Sequence, residues 1–270
     1  MSGRLEDKIA VVTGGAQGLG EAISWRLAGE GCDVVIGDTN EAGAAAVAAA
    51  IAEATGRRVI GTRADVTEEA EVEAMFELAV REHGHVDIVV ANAGILIAEP
   101  IDTADAESWH RVVDVNLYGY FLTTKHACRI MKAQRSGSIV DISSKSGKKG
   151  SAANSAYTAS KFGGVGHTQS VALEMAPYNV RCNAVCPGNL LDSPLWTDPE
   201  HGLFVQYLRA GKVHGATTVD DVRRAYVDQV PMGRGCSYDD VCNAVVFLAS
   251  DQSSYITGIA LSVTGGQEMN

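Results

Sequence analysis

Short apolar runs alternate with longer stretches of helical spacing along almost the whole chain. Lys8–Thr13 (KIAVVT), Cys32–Gly37 (CDVVIG), Arg58–Thr62, Val86–Ala91, Gly137–Ser143, Val180–Val185 and Ile259–Val263 read as strands. Leu19–Gly29, Asn40–Thr55, Thr67–Glu82, Glu107–Arg135, Ser155–Ala176 and Asp239–Ser250 read as helices between them. Asn40 and Thr67 stand where N-caps belong, acidic residues follow Thr67, and Pro177 closes the helix that opens at Ser155. The strands are unbroken Val/Ile runs rather than apolar–polar alternations, so both their faces are expected to be covered. This predicts an α/β fold, a doubly wound parallel sheet forming a single domain over residues 1–270. Only 189–230 breaks the rhythm, with mixed helix signals and several aromatics; it is expected to serve as a substrate loop or lid.

Composition narrows the partners. Asp plus Glu number 33 against 22 Lys plus Arg, a formal net charge of −11. Such a chain is not expected to bind nucleic acid or an anionic membrane. The longest apolar stretches are strand-length, and the charged run Met1–Lys8 leads straight into a strand rather than reading as a signal peptide, so a cytoplasmic location is expected. The six cysteines form no Cys-x-x-Cys pair and stand at no metal-ligand spacing beside histidine, so they read as reduced core thiols, with no metal expected.

The chemistry begins after the first strand, in Thr13-Gly14-Gly15-Ala16-Gln17-Gly18-Leu19-Gly20. Glycines there allow a tight turn, let backbone approach a pyrophosphate, and open a helix whose N-terminus favours anions. Asp38 closes the second strand, 18 residues beyond Gly20, where an adenosine ribose would sit. A carboxylate accepts hydrogen bonds from both ribose hydroxyls and repels a 2′-phosphate. Thr39 and Asn40 follow rather than arginine, and Gln17 rather than a base lies in the loop, so the reading is NAD; the alternative is that Asp38 is a plain turn residue.

Tyr157 and Lys161 stand at i and i+4 on one predicted helix, and share a face. A phenol with an ordinary pKa near 10 is a poor base at neutral pH. Bringing it to neutrality takes about 4 kcal/mol of preferential stabilisation of the phenolate, which a nearby ammonium can help supply. Ser144 ends the fifth strand, 13 residues before Tyr157, and its hydroxyl can hold a substrate oxygen; Ser143 competes for that role, and strand alternation admits only one of them. Asn116 is a poor residue for the interior of a long helix, which points either to function or to a satisfied core amide.

Together, Gly14-x-x-x-Gly18-x-Gly20, Asp65, Asn92-Ala93-Gly94, Asn116, Ser144, Tyr157, Lys161 and Pro187-Gly188 resemble the short-chain dehydrogenase/reductase family over essentially the whole chain. The resemblance implies a seven-stranded parallel sheet, a nicotinamide cofactor and a homotetramer. Tyr157 would be the general acid/base, with Lys161 lowering its pKa and holding the nicotinamide ribose. Ser144 would orient the substrate oxygen, and Asn116 would anchor a proton-relay water. Asp65 would meet adenine and Asn92 lie alongside the cofactor, with Leu19, Val66, Ala93 and Leu190 completing the cofactor set. Two departures stand out: Ala91 precedes Asn92 where the family has a second asparagine, and Ser193 follows Pro187-Gly188 where a threonine is usual.

Ser144-Lys145-Ser146-Gly147-Lys148, Asn154, Lys161-Phe162-Gly163-Gly164 and the ending Val263-Thr264-Gly265-Gly266-Gln267 are similar to the family's sorbitol-6-phosphate 2-dehydrogenase branch. The implied reaction interconverts sorbitol 6-phosphate and fructose 6-phosphate with NAD. Lys145, Lys148 and Lys149 form a small basic cluster suited to a phosphate, unless they are simply a solvated loop. Asn154 suits a polyol hydroxyl, and Asn189 joins the expected substrate set. Arg209, Lys212, His214, Arg223 and Arg224 are further phosphate candidates, while Trp196 and Tyr226 would close a lid or pack beneath it. The rival readings are a dehydrogenase of an unphosphorylated polyol, a reductase of acyl or steroid ketones, and a non-catalytic dinucleotide-binding protein.

Overall fold

The computed structural model describes residues 3–269, so Met1, Ser2 and Asn270, at the ends of the expected single domain, lie outside the described residues. In chain order the elements are β1 (Ile9–Thr13), α1 (Gly18–Gly29), β2 (Asp33–Asp38), α2 (Glu41–Thr55), β3 (Val59–Arg63), α3 (Glu69–His83) and β4 (Ile88–Ala91). They continue with α4 (Ala106–Val113), a π turn (Asp114–Tyr118), α5 (Gly119–Gln134), β5 (Gly137–Ile142), α6 (Ser155–Met175) and β6 (Val180–Pro187). The last are α7 (Pro194–Thr197), α8 (Leu203–Arg209), α9 (Val219–Asp228), α10 (Tyr238–Ala249) and β7 (Ala260–Val263).

All seven strands pair in parallel, in the order β3-β2-β1-β4-β5-β6-β7. The order reverses between β1 and β4, and a crevice opens at the carboxyl ends of strands at such a point. The unbroken apolar strands are explained by two cores. Val12, Val34, Ile36 and Val90 pack with Ile23, Leu27, Ile51 and Val245 of α1, α2 and α10. Their neighbours Val11, Val35, Val89 and Ile139 pack with Met75, Phe76, Leu122, Met131 and Met175 of α3, α5 and α6. Successive strand residues serve opposite faces, so neither face can be polar.

Local chemistry sets the boundaries. Asn40 caps α2 as expected, accepting from the Gly43 N–H at 3.0 Å. Thr67 does not cap α3: its hydroxyl donates to Asp65 Oδ1 at 2.7 Å, and the helix starts two residues later. The aspartate two residues upstream competes successfully for that hydroxyl. The expected helix Glu107–Arg135 is one helical rod interrupted by the π turn, and it ends at Gln134 because Arg135 takes φ +58°. Residues 189–230 are more ordered than their sequence suggested. They form α7, α8 and α9 around a separate cluster of Leu191, Trp196, Phe204, Tyr207, Val222 and Tyr226. Trp196 and Tyr226 therefore pack inside this segment.

Candidate active site

A cleft of about 990 Å³ opens at the carboxyl ends of the strands. Its first wall is the turn from β1 into α1. Gly14 has φ +66°, a region where a side chain is strained. A Cβ on Gly20 would lie 2.1 Å from the Gly14 carbonyl oxygen and 2.4 Å from Asn92 Nδ2, so only glycine fits. Gln17 begins α1 without a side-chain cap, leaving the first amides of the helix unclaimed by it. Asn92 Nδ2 donates to the carbonyls of Thr13 and Gly14 at 3.0 Å each, tying β4 to the glycine turn. Thr13 Oγ1 accepts from the amides of Asn92 and Ala93 at 3.1 and 3.2 Å, a clamp that the sequence did not single out. Ala93, Gly94, Gly18 and Leu19 line the same wall.

Asp38 stands at the rim. Its carboxylate accepts from the Ala16 amide at 3.0 Å and the Asn40 amide at 2.9 Å, which fixes its orientation beside the turn. Asp65 and Val66 line the cleft below it, and Pro187, Gly188, Asn189 and Leu190 close the far side. The residues present fit a dinucleotide: a glycine cradle that a Cβ would fill, an uncapped helix start and an anchored carboxylate beyond it. Ser193 also lines the cleft, and its buried hydroxyl has no hydrogen-bond partner among the described residues.

Tyr157 and Lys161 come from successive turns of α6, as their spacing required. Lys161 is 5% exposed, and its ammonium donates to the Ile142 carbonyl at 2.7 Å and lies 5.9 Å from the Tyr157 ring centre. No carboxylate lies within ion-pair distance of it among the described residues. Nearby Asp141 is buried, which raises its carboxyl to about 6 against the pull of Lys161. Ser144 faces the cleft, and its hydroxyl oxygen accepts from the Ser146 amide at 3.1 Å. Ser143 is buried, with its hydroxyl at 3.4 Å from the Lys161 carbonyl. Both serines border the cleft, and the buried Ser143 has its hydroxyl turned to the α6 backbone.

Asn116 lies in the π turn, and a π turn displaces one residue out of helical register. Its amide oxygen accepts from the Ile95 N–H at 2.8 Å, while Nδ2 donates to the Ile95 carbonyl at 2.9 Å and to Ser160 Oγ at 3.2 Å. The side chain is a brace between the loop after β4 and α6, set just behind Gly94 and Lys161.

The expected substrate residues divide. Lys145 lines the cleft, with its ammonium 5.6 Å from the Tyr226 ring centre. Burial, reinforced by the Lys149 ammonium, lowers its pKa to about 8. Lys148 does not contribute: it donates to the Ala260 carbonyl at 2.5 Å and to Ser262 Oγ at 2.9 Å. The short turn Lys145–Gly147 ends before it, and its side chain is spent on the edge strand β7. Lys149 is exposed. Asn154 lines the cleft but is committed to protein groups. In the orientation that satisfies both ends of its amide, it donates to the Ala153 carbonyl at 2.8 Å and accepts from Tyr207 OH and Lys212 Nζ at 2.9 Å each. Asn189 donates to Gln267 Oε1 at 3.2 Å. Of the other cations, Arg223 pairs with Asp192, Arg224 with Asp221, and Arg209 reaches the Glu200 carbonyl. His214 is exposed. Only Lys212 turns inward.

Among the described residues no group of three or more His, Cys, Asp or Glu is arranged to hold a metal, and no helix is long and apolar enough to cross a membrane. All six cysteines carry free thiols.

The fold and the cleft together define a nicotinamide-dinucleotide oxidoreductase of the Rossmann type, and comparison with known proteins agrees. The short chain dehydrogenase family description matches residues 8–201, and that of enoyl-(acyl carrier protein) reductase matches 204–268. The chain belongs to the short-chain dehydrogenase family and acts on alcohol groups. It is 42% identical over 265 residues to the sorbitol-6-phosphate 2-dehydrogenase of Escherichia coli (strain K12), covering 97% of this chain and 99% of that one. Among solved structures, the sorbitol-6-phosphate 2-dehydrogenase SrlD of Erwinia amylovora superposes with a TM-score of 0.91 at 41% identity, covering 97% of this chain and all of that one. An NAD+-bound xylitol dehydrogenase superposes with a TM-score of 0.92 at 30% identity, covering 97% and 99% of the two chains.

Proposed function

We propose that the protein is an NAD-dependent dehydrogenase that interconverts a sugar alcohol phosphate and a ketose phosphate, with sorbitol 6-phosphate and fructose 6-phosphate the favoured pair. The observation that carries this reading is the Lys145 ammonium. It is half-buried, it lines the same cleft as Tyr157, and no carboxylate pairs with it among the described residues. An unphosphorylated polyol gives such a cation nothing to neutralise it. The high identity to a sorbitol-6-phosphate 2-dehydrogenase supports the same substrate. Asp38 at the ribose end, with Thr39 and Asn40 following, supports NAD over NADP.

The side chains divide the work. When bound, the nicotinamide supplies the hydride acceptor for the carbinol carbon. Tyr157 takes the hydroxyl proton as general base and returns it in the reverse direction. Lys161 sets its charge 5.9 Å from the Tyr157 ring centre, and its Ile142 contact holds the ammonium in place. Ser144 already accepts from the Ser146 amide, so its own O–H is left to donate to the substrate oxygen. Asn116 has its amide spent on Ile95 and Ser160, so a relay water would hang on backbone carbonyls that this brace positions. Ser193, with its unclaimed hydroxyl, is the group that would meet the cofactor where relatives use threonine. Residues 189–230 act as the substrate lid. We place the enzyme in the cytoplasm as a homotetramer; Tyr118, Phe121, Phe162 and Leu173, exposed on the π turn, α5 and α6, offer apolar surface for assembly.

The test is NADH formation with sorbitol 6-phosphate, free sorbitol and xylitol. The expected result is a kcat/KM at least about a hundredfold higher for the phosphate, roughly 2.7 kcal/mol of transition-state stabilisation. Equal or better turnover of the free polyols assigns the enzyme to unphosphorylated substrates, as in the xylitol dehydrogenase it resembles.

A further inference from the structure

We propose that Lys145 and Lys212 together form the phosphate-binding pair of the substrate site, with Ser151, Asn154 and Tyr207 as the residues that aim Lys212. The inference rests on the polyol-phosphate reading and deepens it, because it names the second cation and the segment that delivers it.

Lys212 lies between α8 and α9, far in sequence from the loop after β5. Its ammonium donates to Ser151 Oγ at 3.0 Å and to the Asn154 amide oxygen at 2.9 Å, and sits 3.8 Å from the Tyr207 ring centre. Tyr207 is stacked on Tyr226, the ring beside Lys145, with centroids 5.5 Å apart and planes 9° from parallel. The two ammoniums therefore attend the two rings of one stacked pair. Lys145, Ser151, Asn154, Tyr207 and Tyr226 all line the cleft that holds Tyr157.

The charges of this cluster are unbalanced. Neither lysine forms an ion pair among the described residues, whereas Arg223 and Arg224 of the same lid are both paired. Burial, together with the Lys145 charge, lowers Lys212 to about 7, and burial with the Lys149 charge lowers Lys145 to about 8. Two half-buried ammoniums, each beside one ring of the stacked pair, oppose each other, and an anion bound by both would relieve that. A phosphate monoester is dianionic above its second pKa near 6 and offers three acceptor oxygens, so it matches both donors and both charges. A carbonyl or hydroxyl matches neither charge. Because one lysine comes from 145–154 and the other from the lid, a bound phosphate would also fasten the lid over the cleft.

The experiment compares the wild type with Lys212→Met and Lys212→Gln, each checked for fold by NADH binding. The first readout is the ratio of kcat/KM for sorbitol 6-phosphate to that for sorbitol. It is expected to fall at least about tenfold in both variants, the scale of a lost hydrogen bond to a charged group. The second is calorimetry of fructose 6-phosphate binding to the enzyme–NAD complex at pH 8, in two buffers of different ionisation enthalpy. The ligand is already dianionic there, so proton uptake in the wild type reports lysines gaining protons as the phosphate arrives. That uptake is expected to shrink in the variants, which a purely structural lysine would not produce. If the wild type favours the phosphate but both variants keep the ratio, this inference falls and the substrate reading stands. If the wild type shows no preference for the phosphate, both fall. Should the variants fail to fold, wild-type binding without proton uptake overturns the pair.

Discussion

The two ends of the cleft are built in opposite ways. The end proposed for the dinucleotide is made of backbone and small residues at the tips of β1, β2 and β4, supported by the two main cores. Most of its side-chain contacts are made before any ligand arrives, with Asn92 on the glycine turn, Thr13 on two amides and Asp38 on two more, while the Ser193 hydroxyl is left for the ligand. The end proposed for the substrate is made of long side chains from the loop after β5 and from residues 189–230 with their own small core, and it holds two cations that form no ion pair among the described residues. The first end is preorganised and electrically quiet; the second stores electrostatic strain that a ligand would relieve. Cofactor geometry is the same in every turnover, so a rigid cradle serves it, whereas discrimination among polyols needs groups that respond to one feature of one substrate.

Tyr157 sits at the seam, on α6 yet packed against the lid cluster, and its replacement is the harshest test of the division. Tyr157→Phe removes the proton acceptor and leaves both ends standing. The expected loss in kcat is about 10²- to 10⁴-fold, the usual share of general acid–base catalysis, with NADH affinity measured by fluorescence titration changing little. Wild-type turnover would move the proton transfer to another group, and loss of NADH binding would mean that the two ends are not separable.

A smaller effect is expected at the quiet end. Asp38→Asn keeps an acceptor for only one of the Ala16 and Asn40 amides, which bond to different carboxylate oxygens, and it removes the charge that would repel a 2′-phosphate. The ratio of kcat/KM for NAD over NADP should drop by about 10- to 100-fold, corresponding to roughly 1.5–3 kcal/mol for a charged hydrogen-bonding group. Substrate preference between the phosphorylated and free polyol should stay where it was. A coupled change in both would show that the cradle and the lid communicate.

The contrast also explains what the chain disclosed before folding. Gly14 to Gly20, Asp38 and the Tyr157–Lys161 pair are legible because each depends on local spacing that the βαβ frame converts directly into position. Ser144 and Ser143 both border the cleft, and what distinguishes them is the Ser143 hydroxyl's approach to the Lys161 carbonyl, which the pleat does not encode. Lys148 misled because proximity to Ser144 in sequence says nothing about which way a side chain leaves a three-residue turn. Thr67 misled because an aspartate two residues earlier captured the hydroxyl. Asn154 was rightly placed in the cleft, but its task depends on Tyr207 and Lys212, more than fifty residues away, and no local pattern encodes that meeting. Residues 189–230 read as irregular because their helices are short and are stabilised by a shared aromatic cluster rather than by their own periodicity.

The mildest prediction addresses the strained end without any ligand, and its sign separates storage of charge from simple packing. Lys145 has a folded pKa of about 8 against an ordinary value of 10.5, and in the folded chain its ammonium makes no hydrogen bond among the described residues. Between pH 8 and 10.5 the unfolded chain binds a proton at this lysine and the folded chain does not, so stability contributed by this group rises with pH across that window. Below pH 8 the burial cost is present in full. Lys145→Met keeps the apolar stem, removes the charge, and should stabilise the ligand-free protein at pH 7 by about 1 kcal/mol after allowance for residual solvent screening, or roughly 2–4 °C in Tm. At pH 10.5 the difference should vanish, because the wild type has shed the same charge. Thermal unfolding of both proteins at the two pH values checks this. A variant less stable at pH 7 would mean that Lys145 holds the lid through its contact with Tyr226, and the substrate end would then be as settled before binding as the cofactor end.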